Sequence, residues 1–254
     1  MLAQAPAAAR QPVQPVISII IDDLGKTLGD GKRVLRLPGP VACAFLPRAP
    51  YTSELAVAAH AVGKEVMLHL PMDSVDGRRL DAGGVTLNMT HRQFVDVVAA
   101  DLAAIPHVRG VNNHMGSLLT RHPGHMLWLM QELQRRAPMF FVDSRTTDAT
   151  VARQLADENN VPSTDRNVFL DNRLDAEAIE YQFDRLLRLA RKHGSAVAIG
   201  HPHPQTLAQL EKRLPLLKEA GVRLVPVADV IHLQQEDKST WQASWSPSPK
   251  AAKN

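Results

Sequence analysis

The sequence predicts an α/β fold: a barrel of seven or eight parallel β-strands wrapped by helices. Three observations predict it. Short apolar runs recur along the chain, the segments between them carry helical spacing, and a polar, metal-capable residue ends one run after another. Short apolar runs bounded by turn residues read as strands buried on both faces, as in parallel sheets. Their alternation with helices argues for parallel pairing through helical crossovers. The repetition favours closure over an open sheet, and no Gly-x-Gly-x-x-Gly fingerprint supports a dinucleotide fold.

The first run, Val16-Ile17-Ser18-Ile19-Ile20-Ile21, ends on Asp22-Asp23. A second, Val41-Ala42-Cys43-Ala44-Phe45, is followed by a helix expected from Ser53 to Val62. Val66-Met67-Leu68 ends on His69, and Thr90 with Gln93 forms a capping box for a helix reaching Ile105. Val111 leads into Asn112-Asn113-His114, before a helix from Pro123 to Arg136. Phe140-Phe141-Val142 ends on Asp143, before a helix from Thr147 to Asn159. Val168-Phe169-Leu170 ends on Asp171-Asn172; the helix from Asp175 to His193 then places Ile179, Phe183, Leu186, Leu187 and Ala190 on one face. Ala196-Val197-Ala198-Ile199-Gly200 ends on His201, with a helix from Pro204 to Ala220 and a last strand at Arg223-Leu224-Val225-Pro226-Val227. Gly194 and Gly221 stand where helices should stop.

The 254 residues suit one barrel-sized domain, expected over residues 16–233. Residues 1–15 read as an Ala/Pro-rich linker and residues 234–254 as a disordered tail. The linker lacks the basic and apolar regions of a signal peptide but resembles the segment that follows one. An exported, periplasmic location is therefore expected, with the cytoplasm as the alternative. Net charge is only +3 and no basic stripe interleaves with aromatics, so no nucleic-acid partner is expected. No stretch approaches the length of a membrane span. The lone Cys43 reads as a buried, inert thiol that rules out an intramolecular disulfide framework.

In barrels of parallel strands, reactive groups gather where the strands end. Of Asp22 and Asp23, one can bind a cation while the other serves as base beside a water; the plain reading is a helix cap or turn. A dehalogenase-type phosphatase would need Asp-x-Asp there, which is absent. His69 alone would pass for a core histidine, whereas the polar patch around His114 is hard to place in a core. The prolines after His201 and His203 restrain the backbone, and the His201 imidazole can give a proton to a leaving group. His203 is expected at an exposed helix start. Asp143 can orient a histidine, and Arg145 can pair with a carboxylate of the site. For Asp171-Asn172 a simple turn is the favoured reading. One aspartate with two histidines makes a sound zinc set that leaves a position open.

Five segments in order resemble the divergent polysaccharide deacetylase family, the YibQ-like branch of the NodB-homology, carbohydrate esterase family 4 proteins. They are Ile20-Ile21-Asp22-Asp23-Leu24-Gly25, Glu65-Val66-Met67-Leu68-His69-Leu70-Pro71-Met72, Gly110-Val111-Asn112-Asn113-His114-Met115-Gly116-Ser117, Phe141-Val142-Asp143-Ser144-Arg145-Thr146-Thr147 and Ile199-Gly200-His201-Pro202. The resemblance spans about residues 16–233 and implies a distorted (β/α) barrel of NodB-homology type with a divalent metal, zinc foremost. It further implies Asp22 as catalytic base, Asp23 and His69 as metal ligands, His201 as general acid and Asp143 as the carboxylate that tunes it. The ordinary second motif carries a further histidine where this chain has Asp73. His114 is accordingly expected as the third ligand, with Asp73 as its rival. The arginine that normally holds the base is replaced within Asn112-Asn113, for which Arg145 is a candidate substitute; Asn112, Asn113 and Arg145 are the expected substrate-binding residues. A backbone N–H near Met115-Gly116 is the expected oxyanion donor.

The function implied is a metal-dependent hydrolase that removes acetyl groups from an amino-sugar polysaccharide or oligosaccharide, its partner being an acetylated glycan. The first alternative is a catalytically silent relative that keeps the barrel and binds envelope glycans. A metal amidase or esterase acting on a small non-sugar substrate is the second.

Overall fold

The computed structural model describes residues 14–136 and 138–245. Among these residues nine strands and eight α-helices follow one another. The first half runs β1 (Val16–Leu24), α1 (Leu28–Leu35), β2 (Ala42–Phe45), α2 (Thr52–Ala61), β3 (Val66–Met72), α3 (His91–Ala103), β4 (Gly110–Met115) and α4 (Pro123–Arg135). The second continues with β5 (Phe140–Asp143), α5 (Ala152–Glu158), β6 (Ser163–Asp165), β7 (Val168–Phe169), α6 (Ala176–His193), β8 (Ser195–Gly200), α7 (Pro204–Arg213), β9 (Arg223–Leu224) and α8 (Val227–Trp245). The strands form one sheet in the order β6-β5-β4-β3-β2-β1-β8-β7, with β9 beside the start of β1. Every pair is parallel.

The sheet curls into the expected distorted barrel, and its seam shows how it is distorted. Strands β6 and β7 lie at opposite edges of the hydrogen-bonded path, yet only Arg166 and Asn167 separate them. The Arg166 amide donates to the Asp143 carbonyl (2.9 Å) and the Asn167 amide to the Val197 carbonyl (2.8 Å). The chain itself therefore steps from β5 to β8 and bridges the two edges without a ladder.

Both faces of the sheet are buried, which is why each strand reads as a plain apolar run. Side-chain parity nonetheless sorts the residues. Ile17, Ile19, Ile21, Cys43, Phe45, Leu68, Val111, Phe141 and Ala198 face outward into the larger core beneath the helices. Val16, Ile20, Ala42, Ala44, Met67, Val142, Val197 and Ile199 face inward and pack with Val227, Val230 and Ile231 of α8. Helix α8 thus plugs the interior at the end where the strands begin. The Glu65 carboxylate, just ahead of β3, accepts from the Val227 and Ala228 amides (2.7 and 3.3 Å) and fixes the helix start.

Four expectations need correction. The tail expected from residue 234 is helical as far as Trp245 as a continuation of α8, whose Gln234 hydrogen-bonds Thr164 and Ser195. The helix expected to Ala220 breaks after Arg213 into a 3-10 turn, Leu214–Leu216, around Pro215. The helix expected from Thr147 starts at Ala152. The last strand, expected from Arg223 to Val227, ends at Leu224, and Val227 already opens α8; β6, polar and three residues long, carries no apolar signal. Residues 1–13 of the expected linker and residues 246–254 of the expected tail lie outside the described residues. No helix among the described residues is long and apolar enough to cross a membrane.

Candidate metal and catalytic site

Inward parity continues past the apolar part of each strand. On β1 it brings Asp22 to the top of the interior, on β3 His69, on β4 Asn112 and His114, and just past β8 His201. Strand alternation alone would turn Asp23 away from Asp22. It does not, because the β1–β2 register shifts between Ile21 and Leu24, and Asp23 adopts a left-handed backbone (φ 58°). Both carboxylates consequently reach one atom: His69 Nε2 lies 3.6 Å from Asp22 Oδ2 and 3.4 Å from Asp23 Oδ1.

Asp23, His69 and His114 converge as the sequence predicts. His114 Nδ1 stands 3.0 Å from His69 Nε2 and 3.0 Å from Asp23 Oδ1. Three donors bound at 2.0–2.1 Å around a tetrahedral cation would lie about 3.3 Å apart, so the triangle fits a zinc-type ion. Hydrogen-bond logic agrees. Asp22 Oδ1 accepts from Asn112 Nδ2 (2.8 Å), so Asn112 Oδ1 faces His69 Nδ1 (2.9 Å) and accepts a hydrogen bond from Nδ1–H. His69 Nε2 is thereby left as a lone pair aimed into the triangle. Asp23 Oδ1 is buried there with no hydrogen-bond donor assigned to it. The rival ligand Asp73 is occupied elsewhere: its Oδ2 accepts from the Leu87 amide (2.8 Å).

Charge is sharply divided. Burial pushes Asp22 above the usual carboxylate range, against the pull of His69, His201 and the Asn112 amide. Burial would do the same to Asp23, but the His114 and His69 imidazoles beside it outweigh burial and hold Asp23 well below that range. His69 is raised: burial opposes protonation, and the two aspartates overcome it.

His201 lies on the other flank. Its Nδ1 stands 3.1 Å from Asp171 Oδ1, and its amide donates to Asp171 Oδ2 (2.6 Å), which also accepts from Thr206 Oγ1 (2.8 Å). Burial lowers the imidazole pKa, but Asp171 and then Asp22 raise it to about 9. Asp171 is itself held low by His201 in spite of burial. Asp171, His201 and His203 also cluster, but three hydrogen bonds already consume the Asp171 carboxylate.

Several expected roles are therefore reassigned. Asp143, expected to tune His201, has outward parity; its carboxylate accepts from the Arg145 amide and Thr150 Oγ1 (both 2.8 Å) and braces the β5–α5 loop. Asp171 occupies the inward position and takes the partnership. Its place at a strand end was the available signal. Asn112 and Asn113 are buried and spent within the protein, not presented to substrate. Asn112 bridges His69 to Asp22, the task the resemblance gave to an arginine, and Asn113 joins the Met115 carbonyl to the Ser144 amide. Arg145 faces Asp148 and Asp165 (3.6 and 3.9 Å) and does not replace that arginine. The Gly116 amide donates to the Met72 carbonyl (3.1 Å), so it is not free as an oxyanion donor. A cleft of about 340 Å³ opens beside the triangle, lined by Asp23, Lys26, Thr27, His201 and His203 among others.

The sequence profile of the divergent polysaccharide deacetylase family matches residues 19–231. The chain belongs to that family. A Haemophilus influenzae protein of uncharacterised function is 38% identical over 217 residues, covering 85% of this chain and 77% of its own. Escherichia coli YibQ, also uncharacterised, is 34% identical over 224 residues, covering 88% of this chain and 70% of its own. Among solved structures, the uncharacterised protein ATU2773 from Agrobacterium tumefaciens superposes with a TM-score of 0.82 at 19% identity, covering 90% of this chain and 92% of that one. A family 4 carbohydrate esterase from Streptomyces lividans, in complex with acetate, gives 0.51 at 13% identity, covering 83% and 91%. A mutant of the carbohydrate esterase family 4 pseudoenzyme BA3943 with restored enzymatic activity gives 0.53 at 16% identity, covering 87% and 69%. At these identities the solved structures establish that the family member shares their fold.

Proposed function

We propose that this chain is a metal-dependent hydrolase that removes acetyl groups from an amino-sugar polysaccharide or oligosaccharide at the cell envelope. The observation that carries the reading is one rim holding a cation-ready triangle with the Asn112-held Asp22 carboxylate on one flank and the Asp171-paired His201 imidazole on the other. Family membership supports the choice of an acetylated glycan as substrate. A zinc-type cation held by Asp23, His69 and His114 would polarise an acyl carbonyl oxygen and ease the deprotonation of water.

Asp22 is the base. Its Oδ1 is tied to Asn112 and its Oδ2 accepts the proton from the attacking water; a raised carboxylate holds that proton better at neutral pH. His201 is the acid. Asp171 occupies Nδ1, so Nε2–H is the proton given to the departing amine, and a pKa of about 9 keeps it charged at neutral pH. Asp171 holds the ring and stabilises its charge without accepting the proton itself.

The test is acetate release from chito-oligosaccharides and peptidoglycan fragments by zinc-loaded protein. Asp22→Asn should lower turnover roughly 10²–10⁴-fold while zinc stays bound, and full activity in that variant would refute the assignment of the base. The silent, glycan-binding alternative predicts measurable binding and no acetate from the unaltered chain.

A further inference from the structure

We propose that Asp81 is a positioning residue of the metal triangle, holding His114 in the tautomer and ring orientation that leave Nδ1 free for the cation. The inference rests on the metal reading above. Asp81 Oδ2 lies 3.5 Å from His114 Nε2, while His114 Nδ1 at the other end of the ring faces Asp23 Oδ1 and His69 Nε2. A carboxylate at Nε2 selects the proton for that nitrogen and the lone pair for Nδ1. Asn112 does the corresponding work for His69 from Nδ1. The two histidines thus point opposite nitrogens into one triangle, and each has its own partner behind it.

Asp81 comes from the loop between β3 and α3, which carries no strand-end signal, and that loop is built to hold it. Its stem is a short parallel bridge of Met72 with Val85, in which the Val85 amide donates to the Pro71 carbonyl (2.9 Å) and the Asp73 amide to the Val85 carbonyl (3.1 Å). The Val75 amide donates to Ser117 Oγ (3.0 Å), and the Gly84 amide closes a turn onto the Asp81 carbonyl (3.1 Å). Gly83 has φ +89°, and a Cβ there would sit 2.7 Å from both carboxylate oxygens of Asp101. Asp101 is fully buried and held by Arg48 Nε (3.2 Å), so the loop closes on a fixed point two residues from Asp81. Lys26 Nζ stands 3.4 Å from the same Asp81 oxygen and 3.7 Å from Asp23 Oδ2. It competes with His114 for Asp81 and with the cation for Asp23.

The test is zinc affinity of the purified full chain by competition with a chromophoric chelator, together with the melting temperature of the metal-free form. The Asp81 side chain is 39% exposed, so substitution removes little packing. Asp81→Ala should weaken zinc binding roughly 10–100-fold at an unchanged metal-free melting temperature. Asp81→Asn keeps an acceptor for Nε2–H and should stay within roughly threefold of the unaltered chain; Lys26→Met should bind as well or better. Equal weakening by Asp81→Ala and Asp81→Asn would make the effect one of charge and overturn the positioning role. His114→Ala separates the two claims. If it abolishes binding while Asp81→Ala stays within twofold of the unaltered chain, the positioning role alone fails. If the unaltered chain binds no zinc, the metal reading fails and the inference with it.

Discussion

The inward positions of the curled sheet serve opposite purposes at its two ends. Where the strands begin, Val16, Ala42 and Met67 close on Val227, Val230 and Ile231 of α8 in an apolar plug. A few residues further along the same strands, the same parity presents Asp22, His69, Asn112 and His114. The plug gains by removing apolar surface from water. The rim does the reverse, holding ionisable groups in a buried setting where each needs a partner. Backbone strain is distributed to match. Of the five non-glycine residues with left-handed φ among the described residues, Asp23, Met115 and Arg145 stand at or just past the ends of β1, β4 and β5, around the site. His107 and Asn160 lie in connecting loops ahead of β4 and β6. Stability and chemistry are thus separable along one set of strands, and substitutions at the two ends should have distinct signatures.

The largest effect belongs to the rim. Asp171→Asn should reduce acetate release roughly 10²–10⁴-fold and move the alkaline limb of the pH–rate profile. The sign follows from the partners of His201: burial lowers its pKa, Asp171 lifts it to about 9, and only the protonated ring can act as acid. In the unaltered protein activity should fall as pH rises through about 9 or somewhat lower once a cation is bound, and without Asp171 the limb should shift down. An unmoved limb would break the pairing. On the acid side activity should fall as Asp22 takes up a proton, above the usual carboxylate range.

At the plug, Ile231→Ala should destabilise the metal-free protein by about 2–5 kcal/mol in urea denaturation and leave zinc affinity unchanged. A parallel loss of zinc affinity would show that the two ends are not separable. A smaller effect is expected at Glu65→Ala, which removes the acceptor for the first amides of α8. It should cost about 1 kcal/mol and speed hydrogen exchange along α8, again with zinc affinity intact.

The sequence made the strands legible because runs buried on both faces are apolar throughout. For the same reason it hid which residues face inward. That is why the sequence favoured Asp143 over Asp171, both at strand ends; they differ in parity, which is visible once the neighbouring strands are in place. The strand-end rule marked Asp22, Asp23, His69 and His114 as candidates, and the family resemblance singled out Asp23, His69 and His114 as the ligand set. The shared orientation of Asp22 and Asp23 depends on a register irregularity that no periodicity announces. Asp81 sits in a loop whose shape is set by Gly83, Asp101 and a bridge to β3, contacts that exist only after folding. Helix α1 was unread because Leu28-Gly29-Asp30-Gly31 begins it with two poor helix formers.

The central claim is that Asp23, His69 and His114 share one cation. Zinc titration of the chelator-treated full chain, confirmed by elemental analysis, tests it most directly. The account predicts one equivalent bound, lost in His69→Ala and in His114→Ala and kept in Ile231→Ala. A chain that takes up no divalent metal, or one that binds it equally well without either histidine, would contradict it.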